Sequence, residues 1–235
     1  MKILGIVGAA ALLAGCNWGD VPLADPGADV SESRSIGDFT SLSVGGPHEV
    51  TVTTGQAPSL TISGPEKLVE NSEISEEDGE LRIRQKDGNW NWRSGKVKVA
   101  IGVPAIEKAT LGGSGKIAID LIESDNFEGR VSGSGNLEIA QLNAQRTSLS
   151  VTGSGDIKAA GSSDELTVGV TGSGDVDSRD LVARTANLSV TGSGDIRAHV
   201  TESVDARVTG SGDIDVTGGA TCTRKSSGSG DIHCD

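Results

Sequence analysis

From residue 113 onward, Gly-Ser-Gly occurs seven times, starting at Gly113, Gly133, Gly153, Gly172, Gly192, Gly210 and Gly228. The intervals are 20, 20, 19, 20, 18 and 18 residues. A fixed period of this length marks a solenoid, in which each repeat leans only on its neighbours. Helical repeats do not fit, because the segments are dense in Gly, Val, Thr and Ser and alternate with period two.

Aligning the repeats by their glycines separates two faces. Two residues before the first Gly stand Leu111, Val131, Val151, Val170, Val190 and Val208, and then Ser226. Four residues after it stand Ile117, Leu137, Ile157, Val176, Ile196, Ile214 and Ile232. On an extended strand these positions share a side with both glycines. The opposite parity carries Thr or Ser, the central serines (Ser114, Ser134, Ser154, Ser173, Ser193, Ser211 and Ser229), and Asn136 followed by Asp156, Asp175, Asp195, Asp213 and Asp231. One such strand cannot bury its aliphatic face alone. Stacking equivalent turns about 4.8 Å apart does so, each aliphatic lying on its copy. The glycines remove two inward side chains and let the wall pinch, bulge or turn there.

The pattern extends upstream in worn form. "SVGGPHEVTV" aligns Val44, Gly46, Val50 and Val52 with Val151, Gly153, Ile157 and Ala159. "TISGPEKL" offers Ile62, Gly64 and Leu68 in the same frame, and "LRIRQ" supplies Ile83 and Gln85. The expected architecture is all-β, a single-stranded parallel β-helix with about seven regular and up to three degenerate N-terminal turns. A separate antiparallel cap over residues 36–105 is the rival arrangement.

The chain begins "MKILGIVGAAALLAGC", a single Lys before a short apolar run that ends in Leu-Ala-Gly-Cys. It resembles the bacterial lipoprotein signal, which implies cleavage before Cys16 and lipidation of that residue. Asn17 after the cysteine implies passage to the outer membrane. Acyl chains on Cys16 would hold the protein to the membrane, each buried CH₂ contributing about 0.8 kcal/mol. Residues 17–35 carry Pro, Gly, Asp and Ser without periodicity and read as a flexible linker. The domain organisation is therefore a leader at 1–16, a linker at 17–35 and one solenoid domain at 36–235.

Composition narrows function. The 20 Lys and Arg against 33 Asp and Glu give a formal charge of −13, without a basic cluster, which excludes the usual nucleic-acid footprint. Aromatic residues are 2% of the chain and Tyr is absent, so the core must be aliphatic.

Against that background Trp90 and Trp92, within "GNWNWRSG" beside Asn89, Asn91 and Arg93, form a candidate ligand-binding loop. The alternative is that both rings cover the solenoid flank. The Asp column either caps nearby backbone N–H groups or holds a row of Ca²⁺; its spacing departs from the calcium-binding repeat. The Gly-Ser-Gly serines do not fit the G-x-S-x-G nucleophile elbow. The three histidines, His48, His199 and His233, fall at unrelated turn positions. No catalytic, metal or cofactor set emerges. Cys222 and Cys234 lie six residues either side of Gly228 with inward parity, on opposite walls of the last turn. An exported protein would join them in a disulfide.

"FTSLSVGGPHEVTV", "DGELRIRQ", "KVKVAIGVP" and the serial "VTGSGDI" turns together resemble the bacterial family described as putative auto-transporter adhesin, head GIN domain. The resemblance covers about 36–235. It implies an exported or lipid-anchored β-helix and carries over no catalytic residue. The function expected is a non-enzymatic cell-envelope lipoprotein offering a β surface for adhesion, with a glycan or an envelope protein as ligand. The alternatives are a structural or stress-related envelope component that binds proteins, and a polysaccharide-active β-helix enzyme.

Overall fold

The structure is a computed structural model that describes residues 26–86 and 95–235. Strand makes up 73% of it and helix 2%, and the parallel coils stack into a β-solenoid of about six turns. Seven Gly-Ser-Gly corners delimit six turns, just as seven posts bound six spans.

The N-terminal block uses the chain differently from the rest. β1 (Asp29–Arg34) is an edge strand. β2 (Ser41–Gly45) and β3 (Glu49–Thr54) form one coil level. The chain then reverses at Gly55 into β4 (Ser59–Pro65), crosses the end of the stack as the short helix α1 (Glu66–Glu70), and returns as β5 (Ser72–Glu77). Asp78 and Gly79, both at positive φ, form a two-residue turn into β6 (Glu80–Gln85). β7 (Lys98–Val103) completes the second level, and β8 (Lys108–Gly113) leads into the regular stack.

Register fixes the order of these levels. β2 lies between β6 and β8, with Val44 aligned to both Ile83 and Leu111. β3 pairs with β7 and with the following strand, Val50 aligned to Val99 and Ile117. The β2–β3 level is thus sandwiched, and the β6–β7 level is added outside it. β4 runs antiparallel to β7, β5 antiparallel to β6, and β1 antiparallel to β4.

Two expectations change here. "TISGPEKL" is not a parallel turn: Ile62 pairs with Val99 on the reversed β4, and Leu68 belongs to α1. The end of the stack exposes an apolar face, and a reversed strand with a short helix covers it; Val69 is fully buried there. Residues 29–34 are not free linker, because the edge of β4 offers unpaired backbone groups that β1 satisfies.

The regular stack comprises β9 (Lys116–Gly133), β10 (Asn136–Gly153), β11 (Asp156–Gly172), β12 (Val176–Gly192), β13 (Ile196–Gly210), β14 (Ile214–Thr217), β15 (Thr221–Gly228) and β16 (Ile232–Cys234). All pair in parallel. Inward and outward positions alternate along each turn, and the parity slips where two exposed residues adjoin. In β10 this happens at Ala140–Gln141 and again at Gln145–Arg146. Each turn therefore has three walls: one after the Gly-Ser-Gly (Asn136 to Ala140), a short middle one, and one that returns to the next glycine (Thr147 to Gly153). β14 to β15 lacks the middle wall; Gly218 and Gly219 bridge the gap at positive φ.

The Gly-Ser-Gly is a true corner. Strands end at its first Gly and resume after its second. At Gly153 φ is +118°, and a Cβ there would lie 2.5 Å from the Gly133 carbonyl oxygen of the preceding turn. At the second Gly the obstacle is the same: a Cβ on Gly135 would meet the Gly115 carbonyl oxygen at 2.5 Å and Leu111 Cδ2 at 2.7 Å. Successive corners nest so closely that Ser154 N donates to Gly133 O at 2.8 Å. Serine is tolerated between the glycines because its side chain points out.

The core is the set of inward columns. Val131, Val151, Val170, Val190 and Val208 align in register and are each at most 1% exposed. Each such side chain contributes about 1.5–3 kcal/mol by burial. At the C-terminal end the column turns polar, with Ser226 stacked on Val208 and Arg224 on Ala206. Cys222 and Cys234, on opposite walls, are joined by a disulfide across this last turn.

Candidate functional site

Because every turn repeats the same backbone, outward side chains form columns running along the stack. The first wall carries the Asp column. Asp175 N donates to Asp156 Oδ1 at 3.1 Å, Asp195 N to Asp175 Oδ1 at 2.8 Å, Asp213 N to Asp195 Oδ1 at 2.9 Å, and Asp231 N to Asp213 Oδ1 at 2.8 Å. Each carboxylate accepts the backbone N–H of its own counterpart in the next turn, which offsets the repulsion between stacked charges. This is the capping role of the two weighed for the column. Among the described residues no group of three or more His, Cys, Asp or Glu is placed to hold a metal ion.

The third wall is nearly free of charge in its middle turns. Its outward positions there are Ser148, Ser150 and Thr152, then Thr167, Gly169 and Thr171, then Asn187, Ser189 and Thr191. In a chain of net charge −13 this is a flat field of hydroxyl and amide groups.

A groove of about 490 Å³ opens at one edge of that field, where the middle wall turns into the third. Asn126, Arg146 and Glu165 succeed one another in register along this corner, one per turn. Arg146 Nε donates to Asn126 Oδ1 at 2.7 Å, which draws the guanidinium toward the preceding turn. Glu128 sits between Lys108, at 3.0 Å, and Arg130, at 2.5 Å. These two cations hold its carboxyl below the usual carboxylate range, Lys108 contributing most. Ser148 and Thr167 continue the groove onto the flat field. Its floor is Phe127 and Thr147, both 2% exposed, and Thr147 Oγ1 is buried without a hydrogen-bond partner among the described residues.

The sequence-derived candidates fall in different places. Cys16 and the loop residues Asn89, Trp90, Asn91, Trp92 and Arg93 lie outside the described residues. Cys222 and Cys234 are bonded to each other. His199 is on the first wall, Nδ1 at 3.2 Å from Thr217 Oγ1, and His233 is exposed beside Asp235.

His48 is the exception that spacing did not reveal. It is buried, with Nδ1 2.8 Å from Gly45 O and Nε2 2.9 Å from Ser72 Oγ. A histidine–serine contact resembles a catalytic pair, but both side chains are at most 3% exposed and a backbone carbonyl stands where an orienting carboxylate would be. The pair ties the β2–β3 corner to the start of β5. Burial holds the His48 pKa below its ordinary value, and the bond to Gly45 offsets this only in part. Asn126, Arg146 and Glu165 were equally unmarked in the sequence, though the adjacent exposed residues Gln145 and Arg146 break the period-two pattern and could have flagged the corner.

The family model described as putative auto-transporter adhesin, head GIN domain matches residues 38–220. No curated protein matches. Among solved structures, a putative adhesin from Bacteroides fragilis superposes with TM-score 0.83 at 25% identity, covering 90% of this chain and 100% of that one. A putative lipid binding protein from Parabacteroides distasonis gives TM-score 0.74 at 23% identity, covering 90% and 99%. A putative adhesin from Parabacteroides merdae gives 0.73 at 21% identity, covering 90% and 98%. The last two likenesses concern the fold.

Proposed function

The chain belongs to the putative auto-transporter adhesin, head GIN domain family, and from that premise we propose that it is a non-enzymatic lipoprotein of the cell envelope whose solenoid surface serves adhesion or envelope contacts. The observation that carries this is the uniformity of the turns. Six successive turns repeat one backbone, so the outward side chains form columns about 4.8 Å apart rather than converging on one reactive centre. Such a surface suits an extended ligand met at many weak points.

The lipid anchor follows from the Leu-Ala-Gly-Cys at residues 13–16. Twelve residues, or thirteen Cα-to-Cα steps, separate Cys16 from Asp29, the first residue of β1, which an extended chain spans in at most about 45 Å. β1 lies at the N-terminal end of the stack, so an anchor on Cys16 would set that end toward the outer membrane and the disulfide-closed turn away from it. No helix among the described residues is long and apolar enough to cross a membrane. Trp90 and Trp92, with Asn89, Asn91 and Arg93, serve in this proposal as a second contact surface.

Metabolic labelling with an alkyne fatty acid tests the anchor: wild type incorporates it, and Cys16→Ala does not. Binding of fluorescent soluble protein to intact cells and purified envelopes tests the adhesion reading. Saturable binding is expected; its absence from every envelope preparation would refute the reading. A Trp90→Ala, Trp92→Ala double variant is expected to fold and to bind less.

A further inference from the structure

The corner groove carries a more specific assignment, resting on the adhesion reading above. Arg146 and Glu165 stand in register on adjacent turns, the spacing at which a surface arginine and carboxylate normally pair. Among the described residues no ion pair joins them, and Arg146 instead donates from Nε to Asn126 in the preceding turn. Eight of the ten described arginines bond a carboxylate; Arg146 and Arg224 do not. A donor fork and an acceptor carboxylate are thus left side by side, each with unused hydrogen-bonding capacity. Two residues further along each strand, Ser148 and Thr167 are also in register. The four groups mark a rectangle about 4.8 Å by about 6.6 Å, comparable with one pyranose ring.

We propose that this groove binds a neutral saccharide through a vicinal diol. Arg146 donates to one ring hydroxyl oxygen, Glu165 accepts the O–H of its neighbour, and Ser148 and Thr167 hydrogen-bond the ring's other edge. A diol suits the site because each hydroxyl both donates and accepts, whereas an anion would satisfy only the arginine. The lining also argues against a polyanion: Glu107, Glu128 and Glu165 outnumber Lys108 and Arg146, on a body of charge −13. The adjoining hydroxyl field lets a longer glycan continue across successive turns, and the groove volume is within the range of small-molecule sites.

The test is isothermal titration of the soluble protein with mannotetraose, cellotetraose and galactotetraose, and with tetragalacturonate as the charged counterpart. At least one neutral tetrasaccharide is expected to bind with a dissociation constant on the order of 0.1–1 mM. Arg146→Ala and Glu165→Gln should each weaken it about tenfold or more, with unchanged melting temperature, while Arg197→Ala on the first wall leaves it intact. No binding of any neutral probe, tighter binding of tetragalacturonate, or undiminished affinity in both groove variants overturns the proposal. Cell binding is measured on the same samples. If it persists while the tetrasaccharides fail, the groove assignment falls and the adhesion reading stands; if cell binding is also absent, both fall.

Discussion

The N-terminal block, residues 26–113, and the regular stack, residues 116–228, bury the same kind of aliphatic core by opposite means. The stack repeats one coil and turns each corner on nested glycines, so every inward side chain meets its own copy above and below. The block folds out of sequence order, reverses β4 and β5, and closes the end with α1. Repetition extends a β-solenoid, but only departures from repetition can end one. The C-terminal end shows the same rule in milder form, with the valine column giving way to Ser226, Arg224 beside it and a disulfide closing the turn.

Substitution at glycines should break this symmetry most strongly. Gly153→Ala is expected to destabilise by about 4 kcal/mol, since it adds positive-φ strain to an overlap with the Gly133 carbonyl. Gly55→Ala, in the block's open reversal with nothing within 4 Å, should cost only about 1 kcal/mol. Urea titrations of the two variants measure the contrast; equal losses would mean that the corners do not nest.

Removing the disulfide comes next. In the chain-entropy view Cys222→Ser with Cys234→Ser should cost about 3 kcal/mol. Hydrogen exchange should rise mainly over residues 221–234 while the block stays protected.

Acid should act first on the block. Burial in the folded state lowers the His48 pKa below the ordinary histidine value of 6.5, so its contribution is fully present above that value. The contribution is lost progressively as pH falls below 6.5 and through the lower folded value. His48→Gln should flatten stability against pH in this window; an unchanged slope would relocate the sensitivity. The smallest effect concerns the stack alone. Thr147→Val should stabilise by about 1 kcal/mol, because it replaces a buried hydroxyl that lacks a partner.

The regular stack was legible in the sequence because its physics is periodic. Val151 and Ile157 repeat every turn, and the alignment of Val44, Val50 and Ile83 with them was visible too. The seven glycine corners fixed the spacing, although they bound six turns rather than seven. The block's departures depend on signals used once. Asp78-Gly79 is a hairpin signature that a search for repeats passes over. Ile62 fits the repeat frame by parity, and parity is blind to strand direction. β1 is held by the edge of β4, which no local propensity in residues 29–34 announces. The groove was hidden for a related reason: it depends on which outward residues the corner brings together, and outward columns carry no burial pattern.

Parallel, in-register stacking is the claim on which the display surface and the groove both rest. Spin labels at Ser132→Cys and Thr209→Cys, outward positions four registered steps apart through Thr152, Thr171 and Thr191, test it directly in soluble protein lacking residues 1–16. Stacking predicts a single narrow distance of about 19 Å between the two sites, widened slightly by the label arms. A distance well beyond about 30 Å, or a broad distribution, would contradict it.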